Sequence, residues 1–240
     1  MPKSGLSRNG PTVVSTVGSD VGVRAIYDAT KIALSSGILL VFPVATLAYK
    51  NVLAEEPENT LSLGLLFAVA IQFSTIYLVS AQGLPPKSSL STSLKKKRDG
   101  QQSPLTNTIL ALVLTGLLVP FVHVLYVLFG APVTVAVTST TLLSAHTAVL
   151  ALFPLLCTVP LDINSWLQIL GLKGPWTPFY TASLGTLLGA WLGAVPIPLD
   201  WDRSWQRWPV TIIVGAYAGN FLGALAGSMI SPPERKVKGQ

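Results

Sequence analysis

The chain has 240 residues, of which 50% are hydrophobic and 11% are charged, and its net charge is +6. Soluble domains carry about 25% charged residues, so this composition is typical of a membrane protein. The basic residues lie mostly in short tails and loops without interleaved aromatic residues, so we expect no nucleic-acid partner. The single cysteine, Cys157, excludes an internal disulfide and a cysteine zinc cluster.

The amino-terminal segment, residues 1–30, is rich in Ser, Gly, Thr and Val and has no sustained apolar period. This composition predicts a disordered cytosolic tail. The segment also lacks the order of charged, apolar and small residues that marks a cleavable signal. We therefore expect the first membrane helix to direct insertion.

Six apolar segments are long enough to cross a bilayer, since about 20 helical residues span the hydrocarbon core. They cover residues 32–53, 60–81, 107–129, a stretch ending near 159, 178–197 and 209–230. The start of the fourth is open, because residues 131–159 exceed one untilted span and the threonine-rich stretch 133–141 could lie at the interface. We predict an all-α integral membrane domain over residues 31–230, a polytopic bundle of about six transmembrane helices.

Basic residues divide unevenly between the two sides of this bundle. Thirteen Lys and Arg fall in the amino-terminal tail, the flexible basic loop 82–105, the connection at Lys173 and the basic tail 231–240, against three on the other side. The positive-inside rule then places both termini in the cytosol and loop 198–208 on the opposite face. Residues 236–240 resemble a dilysine signal for retrieval to the endoplasmic reticulum, and an ordinary basic flank is the alternative interpretation.

Glycine recurs every fourth residue in the last two segments. The two series are Gly185, Gly189 and Gly193, and Gly215, Gly219, Gly223 and Gly227. On a helix this spacing forms one smooth face, as in the small-residue interfaces of membrane helices. Packing of the two segments against each other is the first interpretation, and the alternative is that a partner's helix uses part of the second series.

The loop between these segments contains three tryptophans at helical spacing. Trp201, Trp205 and Trp208 lie at i, i+4 and i+7, which would place their rings on one face of a short helix. A helix delimited by Pro198 and Pro209 is predicted to lie on the membrane surface with these rings towards the lipid.

The charged residues of the loop leave three interpretations open. Asp200, Arg203 and Arg207 would lie opposite the rings, where the guanidinium groups suit the phosphate oxygens of a lipid. Asp200 and Asp202 could instead hold a divalent metal, but Arg203 adjoins them and no third ligand is evident, so we predict no metal site. Capping of the helix by Asp200, paired with Arg203, is favoured, and contact with a lipid or a partner protein is the alternative.

Three polar residues lie inside the predicted spans, namely His123, His146 and Gln72. Ionisable groups in a membrane are functional candidates by default. We expect the histidines to hydrogen-bond to each other or to a threonine, and Gln72 to bond between helices, with ligand contact as the alternative for the histidines. The sequence contains no Walker loop, paired-histidine zinc helix or nucleophile elbow, so neither an enzyme nor a cofactor is predicted.

Several motifs together resemble the carboxy-terminal signature of the PIG-F family, multi-pass membrane proteins of glycosylphosphatidylinositol (GPI) anchor biosynthesis in the endoplasmic reticulum. The longest is PIPLDWDRSWQRWP at 196–209, followed by GAYAG at 215–219. GAWLG at 189–193, FGAP at 129–132 and LSAH at 143–146 agree as well. The resemblance covers the chain from about residue 105 to residue 230, and the preceding residues agree only in hydropathy.

The resemblance implies a non-catalytic subunit that binds and stabilises the large ethanolamine-phosphate transferases acting on GPI mannoses, with the GPI precursor lipid as a further candidate ligand. The signature positions are Asp200, Trp201, Asp202, Arg203, Trp205, Gln206, Trp208 and Pro209, and Arg207 joins them as a candidate contact with a lipid or partner. One alternative is a transferase or phosphatase that acts on a phosphorylated lipid through Asp200 and Asp202. Another is a lipid scramblase or carrier.

Overall fold

The computed structural model describes residues 31–46, 52–81, 103–159, 161–174, 176–199 and 201–230. Within these ranges the chain forms helices joined by turns, and no strand occurs there. In chain order the helices are α1 Lys31–Thr46, α2 Val52–Glu55, α3 Pro57–Ala81, α4 Pro104–Leu128, α5 Val137–Thr147, α6 Phe153–Thr158, α7 Ile163–Leu170, α8 Pro178–Ala194 and α9 Val210–Ile230. A π-helical turn, Ala148–Leu152, continues α5 into α6. The predicted disordered tail, most of the basic loop, the basic carboxy-terminal tail and Asp200 lie outside the described residues.

Five helical stretches of the described chain are long and apolar enough to cross a membrane. They are α3, α4, Val137–Thr158, Pro178–Leu199 and α9. Helix α1 is apolar but shorter, and residues 47–51 after it are outside the described ranges. The all-α membrane class is confirmed, whereas the count of six spans and the side of each terminus stay predictions.

Capping residues decide where two of the long helices begin. Helix α4 starts at Pro104, after Ser103, whose hydroxyl accepts a backbone N–H of the first turn. Helix α8 starts at Pro178, after Thr177, which caps it in the same way. Proline is tolerated at the first helical position because that N–H has no partner within the helix. The start predicted at residue 107 is therefore three residues late, since the cap lies ahead of the apolar run.

The fourth span, Val137–Thr158, occupies the centre of the bundle, and Leu143 and Phe153 within it are fully buried. Its 22 residues make a helix about 33 Å long, which is enough to cross the hydrocarbon core. The threonine-rich stretch 133–141, predicted to lie at the interface, has two different conformations. Its first four residues, 133–136, form bends, and the remainder belongs to α5.

Helices α8 and α9 pack with their backbones in direct contact. A methyl group built on Gly189 would overlap the carbonyl oxygen of Gly215, and one on Gly219 would overlap that of Gly185. The other glycines of the two series also face atoms of the opposite helix at similar closeness. Both series are thus occupied by contacts within one hairpin, which is the first of the two interpretations given to the spacing.

Three chain connections meet at one end of the bundle. They are α2 with the start of α3, the bends before α5, and the loop between α8 and α9. Helices α3, α5 and α9 therefore begin at the same end, as alternating antiparallel spans require. The candidate site is built from these three connections.

Candidate functional site

The loop predicted as one amphipathic helix instead contains two short 3₁₀ turns, Ile197–Leu199 and Ser204–Gln206. Between them Asp202 has a left-handed backbone, with φ at 48°, and Arg203 is extended, with φ at −107° and ψ at 140°. These conformations interrupt helical hydrogen bonding. The single interfacial helix is therefore not formed.

The side-chain amide of Gln206 organises this loop. Its Oε1 accepts a hydrogen bond from the Arg203 N–H at 3.2 Å, and its Nε2 donates to the Pro196 carbonyl at 2.8 Å. Because an amide group both donates and accepts, one side chain fixes two sides of the loop. Hydrophobic spacing carries no information about such a bridge.

The three tryptophan rings do not share one face. Trp201 and Trp205 pack edge to face with their ring centroids 5.6 Å apart, and 54% of the Trp201 surface is exposed. Trp208 packs against the core instead, and its indole N–H donates to the Thr140 hydroxyl at 3.1 Å. The first two rings form a pair at the surface, and the third anchors the loop to α5.

The charged residues of the loop also divide into two groups. Arg207 donates through Nη1 to the Ala54 carbonyl at 3.0 Å, which ties the loop to α2. Asp202, Arg203 and Arg207 are all exposed, whereas Pro209 is buried. Capping or metal binding through Asp200 stays a prediction, because that residue is outside the described ranges.

The three connections line an open cleft of about 500 Å³, which we call the end cleft. It is lined by Glu56, Pro57, Glu58, Asn59, Ala136, Ser139, Arg207 and Trp208. Ala136 has a left-handed backbone with φ at 59°, and the helix α5 that follows it has no side-chain cap. A non-glycine residue in this region costs about 1 kcal/mol, so the surrounding structure holds the bend in place. The cleft thus brings acidic and basic side chains to the start of an uncapped helix.

His146 lies at the meeting point of α3, α5 and α9 and is only 1% exposed. Its Nε2 is 3.0 Å from the Leu61 carbonyl oxygen, and its Nδ1 is 2.6 Å from the Tyr217 hydroxyl. A carbonyl only accepts, so Nε2 carries the proton and the Tyr217 O–H donates to Nδ1. Both ring nitrogens are satisfied, which suits a neutral histidine that holds three helices together.

The other two intramembrane polar residues are placed differently. His123 lies beside Thr141, with Nδ1 3.2 Å from its hydroxyl oxygen. Of the two expected partners, a threonine or the other histidine, His123 has the threonine, and the two histidines do not bond to each other. Gln72 is buried on α3, and its predicted bond between helices stays a prediction.

Two buried polar residues of α9 were not anticipated. Tyr217 is the partner of His146, and Asn220 donates through Nδ2 to the Thr186 hydroxyl at 2.9 Å and the Leu150 carbonyl at 3.3 Å. The second bond reaches the π-helical turn, where the regular helical pattern is shifted. Both are polar residues inside a predicted span, which is the same pattern that identifies His123, His146 and Gln72.

A second, apolar groove runs along the outer side of the α8–α9 hairpin. Its volume is about 690 Å³, and it is lined by glycines of both series together with Trp205 and Thr211. The groove exists because the two glycine faces bring the backbones so close that no side-chain ridge covers this side. It is a surface feature of the hairpin and is separate from the end cleft.

Comparison with known families agrees with the signature in this part of the chain. The model of the GPI biosynthesis protein family Pig-F matches residues 38–228, which covers the helices from α3 to α8, the loop before α9 and all but the last two residues of α9. The chain belongs to the Pig-F family. The resemblance stated from the motifs is thereby confirmed, and it extends well before residue 105.

Named relatives within the Pig-F family cover different shares of the chain. A Neurospora crassa protein, glycosylphosphatidylinositol anchor biosynthesis protein 11, is 46% identical over 136 residues, which are 57% of this chain and 50% of the relative. A Pyricularia oryzae protein of the same name is 36% identical over 179 residues, 73% of this chain and 68% of the relative. The human "GPI ethanolamine phosphate transferase, stabilizing subunit" is 36% identical over 114 residues, 46% of this chain and 50% of the relative. The chain thus spans about half the length of the Neurospora and human proteins, and no solved structure matches it.

Proposed function

We propose that this chain is a membrane-embedded, non-catalytic subunit that stabilises a GPI ethanolamine phosphate transferase in the endoplasmic reticulum. The observation that carries the proposal is the Pig-F match over residues 38–228. The human relative is named as the stabilising subunit of such a transferase. The catalytic groups would then belong to the partner protein, and this chain would supply a binding surface.

The loop before α9 is suited to docking because hydrogen bonds anchor it to the bundle while several of its residues stay exposed. Arg207 and Trp208 fix the loop to α2 and α5 through hydrogen bonds of 3.0 and 3.1 Å. Trp201, Asp202 and Arg203 remain exposed on this fixed base. A rigidly held exposed tryptophan is the kind of residue that contributes most to protein–protein binding. With both termini in the cytosol, these residues would face the lumen.

Affinity purification of the full chain in mild detergent tests this proposal. We expect a large ethanolamine phosphate transferase to co-purify, and cells lacking the gene to accumulate GPI precursors deficient in ethanolamine phosphate. Fully modified GPI in the deletion strain would contradict the proposal. So would metal-dependent turnover by the purified chain alone that is lost in Asp200→Asn, because the chain would then be the enzyme itself.

A further inference from the structure

The end cleft contains charges of both signs. Arg207, Glu56 and Glu58 all line it. Within the described part of the chain, none of these three groups is joined in an ion pair. A volume of about 500 Å³ falls in the range of small-molecule sites, roughly 300–1,000 Å³. Opposite charges that share a cleft without neutralising each other suit a ligand that carries both.

Arg207 and the start of α5 offer donors for a phosphate group in the end cleft. The hydrogen bond to Ala54 uses one N–H of Arg207, and a guanidinium group has five. Helix α5 begins here without a side-chain cap, and the first N–H groups of a helix favour an anion. Ser139, only 3% exposed, lines the cleft, and its hydroxyl has no hydrogen-bond partner among the described residues. Because this hydroxyl faces the cleft and has no internal partner, it is available to donate to a bound phosphate.

The two glutamates of the end cleft offer acceptors for an ammonium group. Glu58 lies in the first turn of α3, and Glu56 accepts a hydrogen bond from the Asn59 side chain at 3.2 Å. The indole ring of Trp208 forms a further wall, and an aromatic face attracts a cation. Carboxylates select a primary ammonium over a quaternary one, because only the primary group has N–H donors.

We propose that the end cleft binds an ethanolamine phosphate headgroup, with the phosphate at Arg207 and Ser139 and the ammonium at Glu58 and Trp208. The inference deepens the proposed function, on which it rests, since it makes this subunit a holder of the group that its partner transfers. The headgroup could belong to a membrane lipid such as phosphatidylethanolamine or to free phosphoethanolamine. The chemistry of recognition is the same for both.

Lipid retention by the full chain tests the inference and separates the two sources. The chain is placed in phosphatidylcholine nanodiscs doped with phosphatidylethanolamine, released, and weighed with its bound lipid by native mass spectrometry. We expect enrichment of phosphatidylethanolamine over phosphatidylcholine. In a parallel titration, thermal stabilisation by soluble phosphoethanolamine without lipid enrichment would support the inference with the free compound as the ligand. Absence of both enrichment and stabilisation would overturn it.

Matched variants decide whether the end cleft is the site. Glu58→Gln is expected to lower the preference for the ethanolamine headgroup about tenfold, and Ser139→Ala is expected to weaken retention of both phospholipids and of phosphoethanolamine about tenfold, because both lipids carry the phosphate; each change is the effect of losing one hydrogen bond to a charged group. Ser139→Ala removes a single hydroxyl, so it tests the site without threatening the fold. Glu55→Gln on α2 and Lys173→Gln at the opposite end of the bundle are the controls. Equal losses in the controls, or no loss in the cleft variants, would overturn the assignment.

Transferase co-purification, measured on the same variants, keeps the two proposals distinguishable. Glu58→Gln is expected to lose the headgroup preference and retain the transferase. A chain that prefers the ethanolamine headgroup but never co-purifies with a transferase would refute the proposed function and leave the cleft assignment standing. A chain that binds the transferase but shows no headgroup preference in any variant would refute only the cleft assignment.

Discussion

His146 and Tyr217 form a deeply buried polar pair that joins separate spans of the described chain. Their contact links α5 to α9, and the second nitrogen of His146 reaches the backbone of α3. In a bilayer no water is available to satisfy either group, so each depends on the other. The sequence identifies His146 as a candidate because it is ionisable, but the partner lies 71 residues away and no local pattern connects the two.

Removing the hydroxyl of this pair should destabilise the bundle. In Tyr217→Phe the Nδ1 atom of His146 stays buried without a donor, and we expect a loss of about 1–3 kcal/mol in the free energy of unfolding. Tyr77→Phe is the matched control, because Tyr77 is 38% exposed on α3. Thermal unfolding in nanodiscs measures both variants, and equal midpoints for the two would show that the buried contact contributes nothing.

Substitution of Trp201 should affect docking to the transferase without affecting folding. It is exposed and contacts Trp205, so Trp201→Ala should leave the unfolding midpoint nearly unchanged. We expect it to weaken association with the transferase about tenfold or more, as for exposed aromatic anchors elsewhere. Trp191→Ala removes a tryptophan that is 63% exposed on α8 and serves as the control in quantitative co-purification. Similar losses for both variants would place the contact elsewhere.

At the scale of elements, the sequence predicts the long helices well and the short ones poorly. Apolar length alone locates α3, α4, α8 and α9 to within a few residues. It misses α7, because the eight residues of Ile163–Leu170 are too few for a span. Asp162 is the N-cap of that helix. Its side chain accepts hydrogen bonds from the Ser165 hydroxyl and the Ser165 backbone N–H. Hydrogen bonds to this carboxyl hold its pKa below the ordinary value, and the largest contribution comes from the Ser165 hydroxyl.

The loop before α9 shows why periodicity fails in irregular segments. Trp201, Trp205 and Trp208 have helical spacing, yet the amide of Gln206 and the tie from Arg207 to Ala54 decide the conformation. Those interactions join residues far apart in the chain or use polar groups that hydropathy ignores. The sequence motif therefore locates the segment, but its conformation can be read only from the folded structure.

The α8–α9 contact predicts opposite effects for two glycine-to-alanine substitutions. Gly189→Ala places a methyl group against the Gly215 carbonyl, which forces the helices apart and should cost about 1–3 kcal/mol or more. Gly116→Ala on α4 meets nothing within 4 Å and should gain up to about 1 kcal/mol from helix propensity. Unfolding midpoints of the two variants, compared with the parent chain, give the signs. A neutral Gly189→Ala would contradict direct backbone packing.

For the whole molecule, charge and the alternation of the spans together predict the orientation in the membrane. The starts of α3, α5 and α9 share one end through the Arg207–Ala54 and Trp208–Thr140 hydrogen bonds. The span assignment made from the sequence places thirteen basic residues on the opposite side and three on this side. Since positive loops stay in the cytosol, the end cleft should face the lumen.

Cysteine labelling can check this orientation, because Cys157 is buried and is the single native cysteine. In a Cys157→Ala background, Lys95→Cys should react with a membrane-impermeant maleimide in sealed microsomes. Ser204→Cys should react only after the microsomes are permeabilised. The reverse pattern would invert the molecule and place the end cleft in the cytosol.

The backbone contact between α8 and α9 has a mechanical consequence. Packed helices can slide when a layer of side chains separates their backbones. The glycines leave almost no side chains between α8 and α9. The hairpin should therefore transmit a displacement along its length as a stiff lever does. One end of this lever meets Arg207 at the end cleft, and the other begins at Thr177 on the far side of the bilayer. A protein that grips its outer groove would hold both faces of the membrane in fixed relation.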